Sequence, residues 1–141
     1  MPSFSAEGEK KLATCHPLLQ QLFRRVVGKY DCTIVTGHRG QADQDLAVAE
    51  GRSQTPWPIG NHNNAPSLAV DANPYPHPMM DAGGNLTKEG WQEFCMFAGY
   101  VLGLAEGMGI RLRWGGDWNG NWKVTDEKFR DLYHFELRMP Q

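Results

Sequence analysis

The chain has no excess charge of either sign: 14 Lys and Arg stand against 16 Asp and Glu, a formal net charge of −2 over 141 residues. A nucleic-acid or anionic-membrane partner would show as a basic excess or stripe, and neither is present. Cysteine is scarce. Cys15, Cys32 and Cys95 are far apart, odd in number and without a CxxC pair, which excludes a disulfide framework and a cysteine-built zinc site. Buried thiols of a protein folded in a reducing compartment are expected instead. Long apolar runs are missing too. The longest candidate, Phe94 to Ala105 (FCMFAGYVLGLA), is 12 residues and is closed by Glu106, whereas a bilayer span needs about 20. Gly99 and Gly103 within it and Gly107 just beyond it are expected to let a central helix pack closely on a sheet rather than to mark a membrane dimer. The opening MPSFSAEGEKKLATC has no apolar core of a secretory signal. No repeat, low-complexity tract or linker divides the chain, so residues 1–141 are expected to form one domain, large enough for its own hydrophobic core.

What is present reads as alternating helices and strands. Pro17 suits the first turn of a helix. Leu18, Leu19, Leu22, Phe23, Val26 and Val27 then follow at helical spacing as a core stripe, with Gly28 as the stop. CTIVT (32–36) is a β-branched strand ending at Gly37. Residues 41–50 suit a helix closed by Gly51, and a strand is expected around Leu68 to Asp71. Three prolines and two glycines make 72–86 an extended surface loop. A helix over 91–106, a short strand RLRW (111–114), a loop GGDWNGNW and a final strand YHFEL (133–137) complete the chain. The last two strands are joined without a helix. This pattern predicts an α+β domain: a small, mainly antiparallel sheet with helices packed on it.

The stretch HNNAPSLAVD (62–71) places a histidine at the mouth of a turn and ends the following strand on a carboxylate. With His134 in DLYHFEL, His62 and Asp71 make an open set of two imidazoles and one carboxylate. Zinc accepts both donor types and, when catalytic, keeps three protein ligands and one free position. On spacing alone the set is nonspecific, since many chains of this size offer some His/Asp triple. A zinc hydrolase also needs a carboxylate to take a proton from water and hand it to the leaving amine. Asp131 is the candidate. Residues three apart point to opposite faces of a continuous strand, so Asp131 can join His134 only if it belongs to the turn before the strand. Glu136 shares a face with His134 and is either a fixing acceptor for that imidazole or a solvated carboxylate. Arg39, in TGHRG, is either a cation for an oxyanion or a substrate carboxylate, or an ordinary surface arginine.

Taken together, TGHR with Gln44 five positions later, HNNAPSLAVDANPYP, LRWGGDW and DLYHFEL resemble, in order and separation, the zinc peptidases that cut cell-wall peptides containing D-amino acids. That family includes VanX-like dipeptidases, VanY-like D,D-carboxypeptidases and single-domain phage endolysins that cleave the L-alanyl-D-glutamate bond. The endolysin branch is the nearest, over about Leu12 to Leu137. The resemblance implies zinc (Zn2+) bound by His62, Asp71 and His134, with Asp131 as catalytic base and Arg39 at the transition state or substrate. It implies an antiparallel sheet lining a zinc cleft, as in Hedgehog and D,D-peptidase domains. It further implies hydrolysis of murein stem peptides by a monomer made in a bacterial cytoplasm and acting on periplasmic murein. No separate wall-binding domain is expected within 141 residues. The alternatives are a D,D- or L,D-carboxypeptidase on the same peptides and a non-catalytic zinc module binding wall peptides or a protein.

Two features depart from the family pattern. Gly60-Asn61-His62 lacks the serine common two residues before the first ligand, and the spacing from His62 to Asp71 is two residues longer than the common form. Among the other candidates, His77 is expected to be an exposed loop residue, with a second metal as the alternative. His38 is expected to turn away from the site, and His16 to lie at the surface. Trp114 is expected in the core, and Asp117 to stabilise its turn. Trp118 and Trp122 either wall a substrate groove or cap the core.

Overall fold

The computed structural model describes residues 2–140. Strands β1 (Cys32–Thr36), β2 (Ala69–Pro74), β3 (Leu112–Gly115) and β4 (Asp131–Leu137) form one antiparallel sheet in the order β1-β2-β4-β3. Helices α1 (Ala6–Leu12), α2 (Pro17–Lys29), α3 (Gln41–Ala49) and α4 (Lys88–Gly107) complete the α+β domain. Strand alternation divides the sheet's two faces. Ile34, Val70, Ala72, Phe135 and Leu137 enter the hydrophobic core with Phe23 of α2 and Phe97 of α4. Both phenylalanines meet the Phe135 ring edge-on, at centroid distances of 5.6 Å and 6.0 Å. The intervening residues Asp71, His134 and Glu136 therefore stand together on the opposite face, because Asp71 pairs with His134 and Ala69 with Glu136.

The apolar stripe of α2 is buried from Leu19 to Val27, but the helix runs through Gly28 to Lys29 and ends at an extended Tyr30. At its start Pro17 occupies the first turn, and His16 Nδ1 accepts from the Leu18 amide at 3.1 Å. Helix α4 begins before residue 91, because the Thr87 hydroxyl caps it by accepting from the Gly90 amide at 3.0 Å. It packs on the sheet through Phe94, Phe97, Ala98, Val101 and Ala105. The expectation for Gly99, Gly103 and Gly107 fails. They lie on the solvent side, with no neighbouring atom within 4 Å of where a Cβ would stand. Among the described residues no helix is long and apolar enough to cross a membrane.

The expected loop 72–86 is corrected at its start: Ala72, Asn73 and Pro74 continue β2 and are buried, paired with Ile34, Thr33 and Cys32 of β1. Proline is tolerated there because it closes the strand. Helix α1 was outside the expected elements, although Ser5 caps it, acids lie in its first turn and Lys10 and Lys11 in its last.

Strand β4 begins two residues before the expected YHFEL, at Asp131, and its pairing with β3 is broken. Trp114 pairs with Phe135, yet the next residue, Gly115, pairs with Asp131. Leu132, Tyr133 and His134 thus have no partner on β3, and the buried Trp114 indole donates to the Leu132 carbonyl at 2.8 Å. A Cβ on Gly115 would collide with the Asp131 carbonyl, and one on Gly116 with the Trp114 ring. The two glycines and the tryptophan together hold this irregularity.

Candidate metal centre

His62 lies in a short 3-10 turn, Asn61–Asn63. Its Nδ1 is 2.8 Å from the Gly37 carbonyl. A carbonyl only accepts, so Nδ1 carries the hydrogen and Nε2 presents a lone pair. That Nε2 is 3.0 Å from Asp71 Oδ1. In His134 the order is reversed. Its Nε2 is 2.8 Å from Glu136 Oε1 and its Nδ1 faces inward, 3.2 Å from His62 Nε2 and 3.4 Å from Asp71 Oδ1. Glu136 is thus the acceptor that fixes an imidazole, held in turn by Arg113 at 2.7 Å and 3.2 Å.

Three donor atoms therefore converge on one point, all from buried residues. With neutral rings, each imidazole spends its one hydrogen outward, leaving two nitrogen lone pairs and a carboxylate oxygen facing one another. Such a triangle can hold a cation. Zinc bonds of about 2.0–2.1 Å in tetrahedral geometry set donor atoms about 3.3 Å apart, and the edges here are 3.0, 3.2 and 3.4 Å. These residues can hold a metal ion of that size. Among the described residues no other group of three His, Cys, Asp or Glu side chains meets this way.

The electrostatics agree with a cation site. Burial works against charge on Asp71, but His62 and His134 outweigh it and hold the carboxyl well below the usual range. Burial likewise opposes protonation of His134, yet the hydrogen bonds to Asp71 and Glu136 prevail and raise it to about 9. Glu136 is held down at about 2 by His134 and Arg113, against the effect of burial.

Asp131 opens onto the same cleft as His62 and His134. Its position was expected to require a turn; instead it is the first residue of β4, and the three unmatched residues bring it to the His134 side. Burial pushes its carboxyl up to about 6, with the Asp71 charge adding and the two histidines opposing. Arg39 is no free surface arginine: Nη2 reaches Asp71 Oδ2 at 3.3 Å and Nη1 reaches Gln44 Oε1 at 3.2 Å. Gln44 and Asn63 carry structural roles that the sequence did not assign to them. Asn63 Nδ2 donates to the Arg39 carbonyl and to Gln44 Oε1, each at 3.0 Å, while its Oδ1 accepts from the Gly60 amide at 3.0 Å. A Cβ at Gly60 would stand 2.9 Å from Asn63 Oδ1, so a serine there would require the Asn63 side chain to shift.

The centre lies between two open cavities of about 630 and 660 Å3. The first is polar, walled by Trp118, Arg113 and Lys128. The second is apolar, walled by Phe94, Leu132 and Tyr133. His77 lies on the second, which Asp71 also lines. It donates from Nδ1 to the Pro78 carbonyl and accepts at Nε2 from Tyr133, both at 2.8 Å. His38 is exposed and His16 caps α2. Trp118 stacks on Phe129 and packs beside His134 with a centroid distance of 5.4 Å, whereas Trp122 is exposed. Asp117 stabilises its turn by accepting from the Asn121 and Trp122 amides.

The sequence pattern of the phage L-alanyl-D-glutamate peptidase family matches residues 2–138. The L-alanyl-D-glutamate peptidase of Escherichia phage T5 is 32% identical over 142 residues, spanning 95% of this chain and 96% of that protein. The crystal structure of the Serratia marcescens L-Ala D-Glu endopeptidase ChiX aligns with a TM-score of 0.68 at 26% identity, covering 97% of this chain and 91% of that one.

Proposed function

The chain belongs to the phage L-alanyl-D-glutamate peptidase family, and from that premise we propose that it is a zinc-dependent endolysin hydrolysing the L-alanyl-D-glutamate bond of murein stem peptides. The observation that carries the zinc reading is the convergence of His62 Nε2, Asp71 Oδ1 and His134 Nδ1 at edges of 3.0 to 3.4 Å. Asp131 and Arg39 open onto the same cleft. Zinc held there supplies a Lewis acid that polarises the scissile carbonyl and acidifies water toward neutral pH.

The protein's own groups divide the remaining work. Asp131 takes a proton as water oxygen bonds to the carbonyl carbon. It then delivers that proton to the nitrogen as the C–N bond breaks, so water is consumed and one carboxyl and one amine are released. Arg39 faces the negative charge that gathers on the former carbonyl oxygen, its orientation fixed by Gln44 and Asp71. Glu136 and the Gly37 carbonyl keep both imidazoles turned with their lone pairs inward. The enzyme acts as a monomer on periplasmic murein after synthesis in the host cytoplasm.

Mass spectrometry of purified murein, incubated with the protein and with a chelator-treated control, tests the reading. New alanine carboxyl ends and D-glutamate amine ends, absent with chelator, are expected. Loss of only a terminal D-alanine would replace the endopeptidase with a carboxypeptidase. Uncut murein with folded, zinc-loaded protein would leave a binding module.

A further inference from the structure

We propose that Arg52 reads the free carboxylate of the D-glutamyl residue, making it a specificity-determining residue of this cleft. The inference rests on the peptidase reading above. A glutamyl residue inside a chain always keeps one carboxyl free. In murein the chain continues through the γ-carboxyl, so the free group is the α-carboxylate, on the carbon bonded directly to the scissile nitrogen. An ordinary peptide bond carries no charge there. A cleft that selects glutamate must answer that carboxylate with a cation close to the centre, because a desolvated carboxylate left unpaired is costly.

Position and prior commitments single out the cation. Arg39, Arg52, Phe129 and Asp131 line both cavities and so stand at their junction. Lys128 borders only the polar cavity, and Arg130, lying over the Trp91 ring at 6.0 Å, only the apolar one. Arg113 is bound to Glu136. At the junction, Arg39 is already engaged by Asp71 and Gln44. Among the described residues Arg52 is paired with Glu50, whose Oε1 accepts from Nη2 at 2.6 Å and from Nε at 2.9 Å, and both side chains are about half exposed, at 53% and 51%. An exposed pair of this kind is weak and is exchanged for a substrate carboxylate at little cost.

Arg52 is nevertheless held in place. Its amide and that of Ser53 donate to the Ala47 carbonyl at the end of α3, at 2.9 and 3.2 Å. Gln44 then ties down the following residues, donating to the Thr55 carbonyl at 2.6 Å and to Ser53 Oγ at 3.1 Å. The same buried Gln44 accepts from Arg39. One side chain therefore positions the arginine facing the oxyanion and the segment carrying the arginine that faces the carboxylate.

The test compares two synthetic peptides: acetyl-L-alanyl-γ-D-glutamyl-lysine and the same peptide with the α-carboxylate converted to its amide. Wild type, Arg52→Gln and Arg52→Lys are assayed on both. Wild type is expected to prefer the carboxylate peptide. Arg52→Gln should lose about ten- to a hundredfold in kcat/KM on it, the range of a charge-assisted hydrogen bond, mainly through KM. On the amide it should stay within about twofold, and Arg52→Lys should recover part of the preference by restoring the charge. An unchanged preference in Arg52→Gln, or an equal fall on both peptides, would overturn the assignment while leaving the peptidase intact. Wild type that cuts neither peptide nor murein would overturn the peptidase reading and this proposal with it.

Discussion

Glu136 holds a histidine with one oxygen and an arginine with the other, at 2.8 and 2.7 Å. It thereby decides which His134 nitrogen faces Asp71. Glu136→Ala removes the acceptor for Nε2 and frees the ring to turn. Zinc affinity, measured by competition with a chromogenic chelator, should fall about ten- to a hundredfold; unchanged affinity would remove Glu136 from the metal's support. At this scale much was legible. His62, Asp71 and His134 could be picked out as donor types, and the shared face of His134 and Glu136 followed from strand period. The inward nitrogens were not legible, because they depend on which acceptor each ring meets, and Gly37 lies 25 positions from His62. Gln44 on α3 and Asn63 in the 3-10 turn were hidden for the same reason: they meet each other and Arg39 only once the chain has folded.

Strand β4 shows how an irregular element can place a side chain that a regular one would misdirect. Alternation alone sets Asp131 against His134; the unmatched residues 132–134 bring both to one cleft, and Gly115 permits the close approach this needs. Gly115→Ala should displace Asp131, lowering turnover by at least about tenfold and stability by about 1–3 kcal/mol, while zinc content is retained. Normal turnover would show that the glycine does not set the base. By contrast, Thr87→Ala removes the cap of α4 and the hydroxyl's bond to the Met79 carbonyl at 3.1 Å, and should cost about 1 kcal/mol in chemical denaturation without altering kcat. Strand and helix positions were readable wherever hydrophobic period was long. The failures fell where a local signal was ambiguous. Pro74 carries a loop signal although it closes a buried strand, and the glycine stripe of α4 faces water because the phenylalanine face packs more apolar surface.

Across the whole molecule, one sheet separates a dry core from a charged cleft, and the cysteines belong to the dry side. Burial pushes the Cys15 thiol up to about 11 and the Cys32 thiol up to about 12. The folded state therefore prefers neutral thiols. Their stabilisation is complete below the ordinary value of 9.0 and is lost as pH rises through about 11 to 12. Melting temperature should fall across that alkaline window, and native protein at pH of about 8 should react with iodoacetamide at Cys95 before either buried thiol. Rapid native labelling of Cys32 would contradict the packing. The fold class followed from the interleaving of helices and antiparallel strands, but the cleft did not, since it is closed by contacts among segments distant in sequence. The account turns on a metal centre and a separate base, and the turnover of zinc-loaded Asp131→Asn tests both together. It should bind about one zinc per chain and melt cooperatively, yet release murein peptides about a hundred- to ten-thousandfold more slowly. Turnover equal to the wild type would contradict the account.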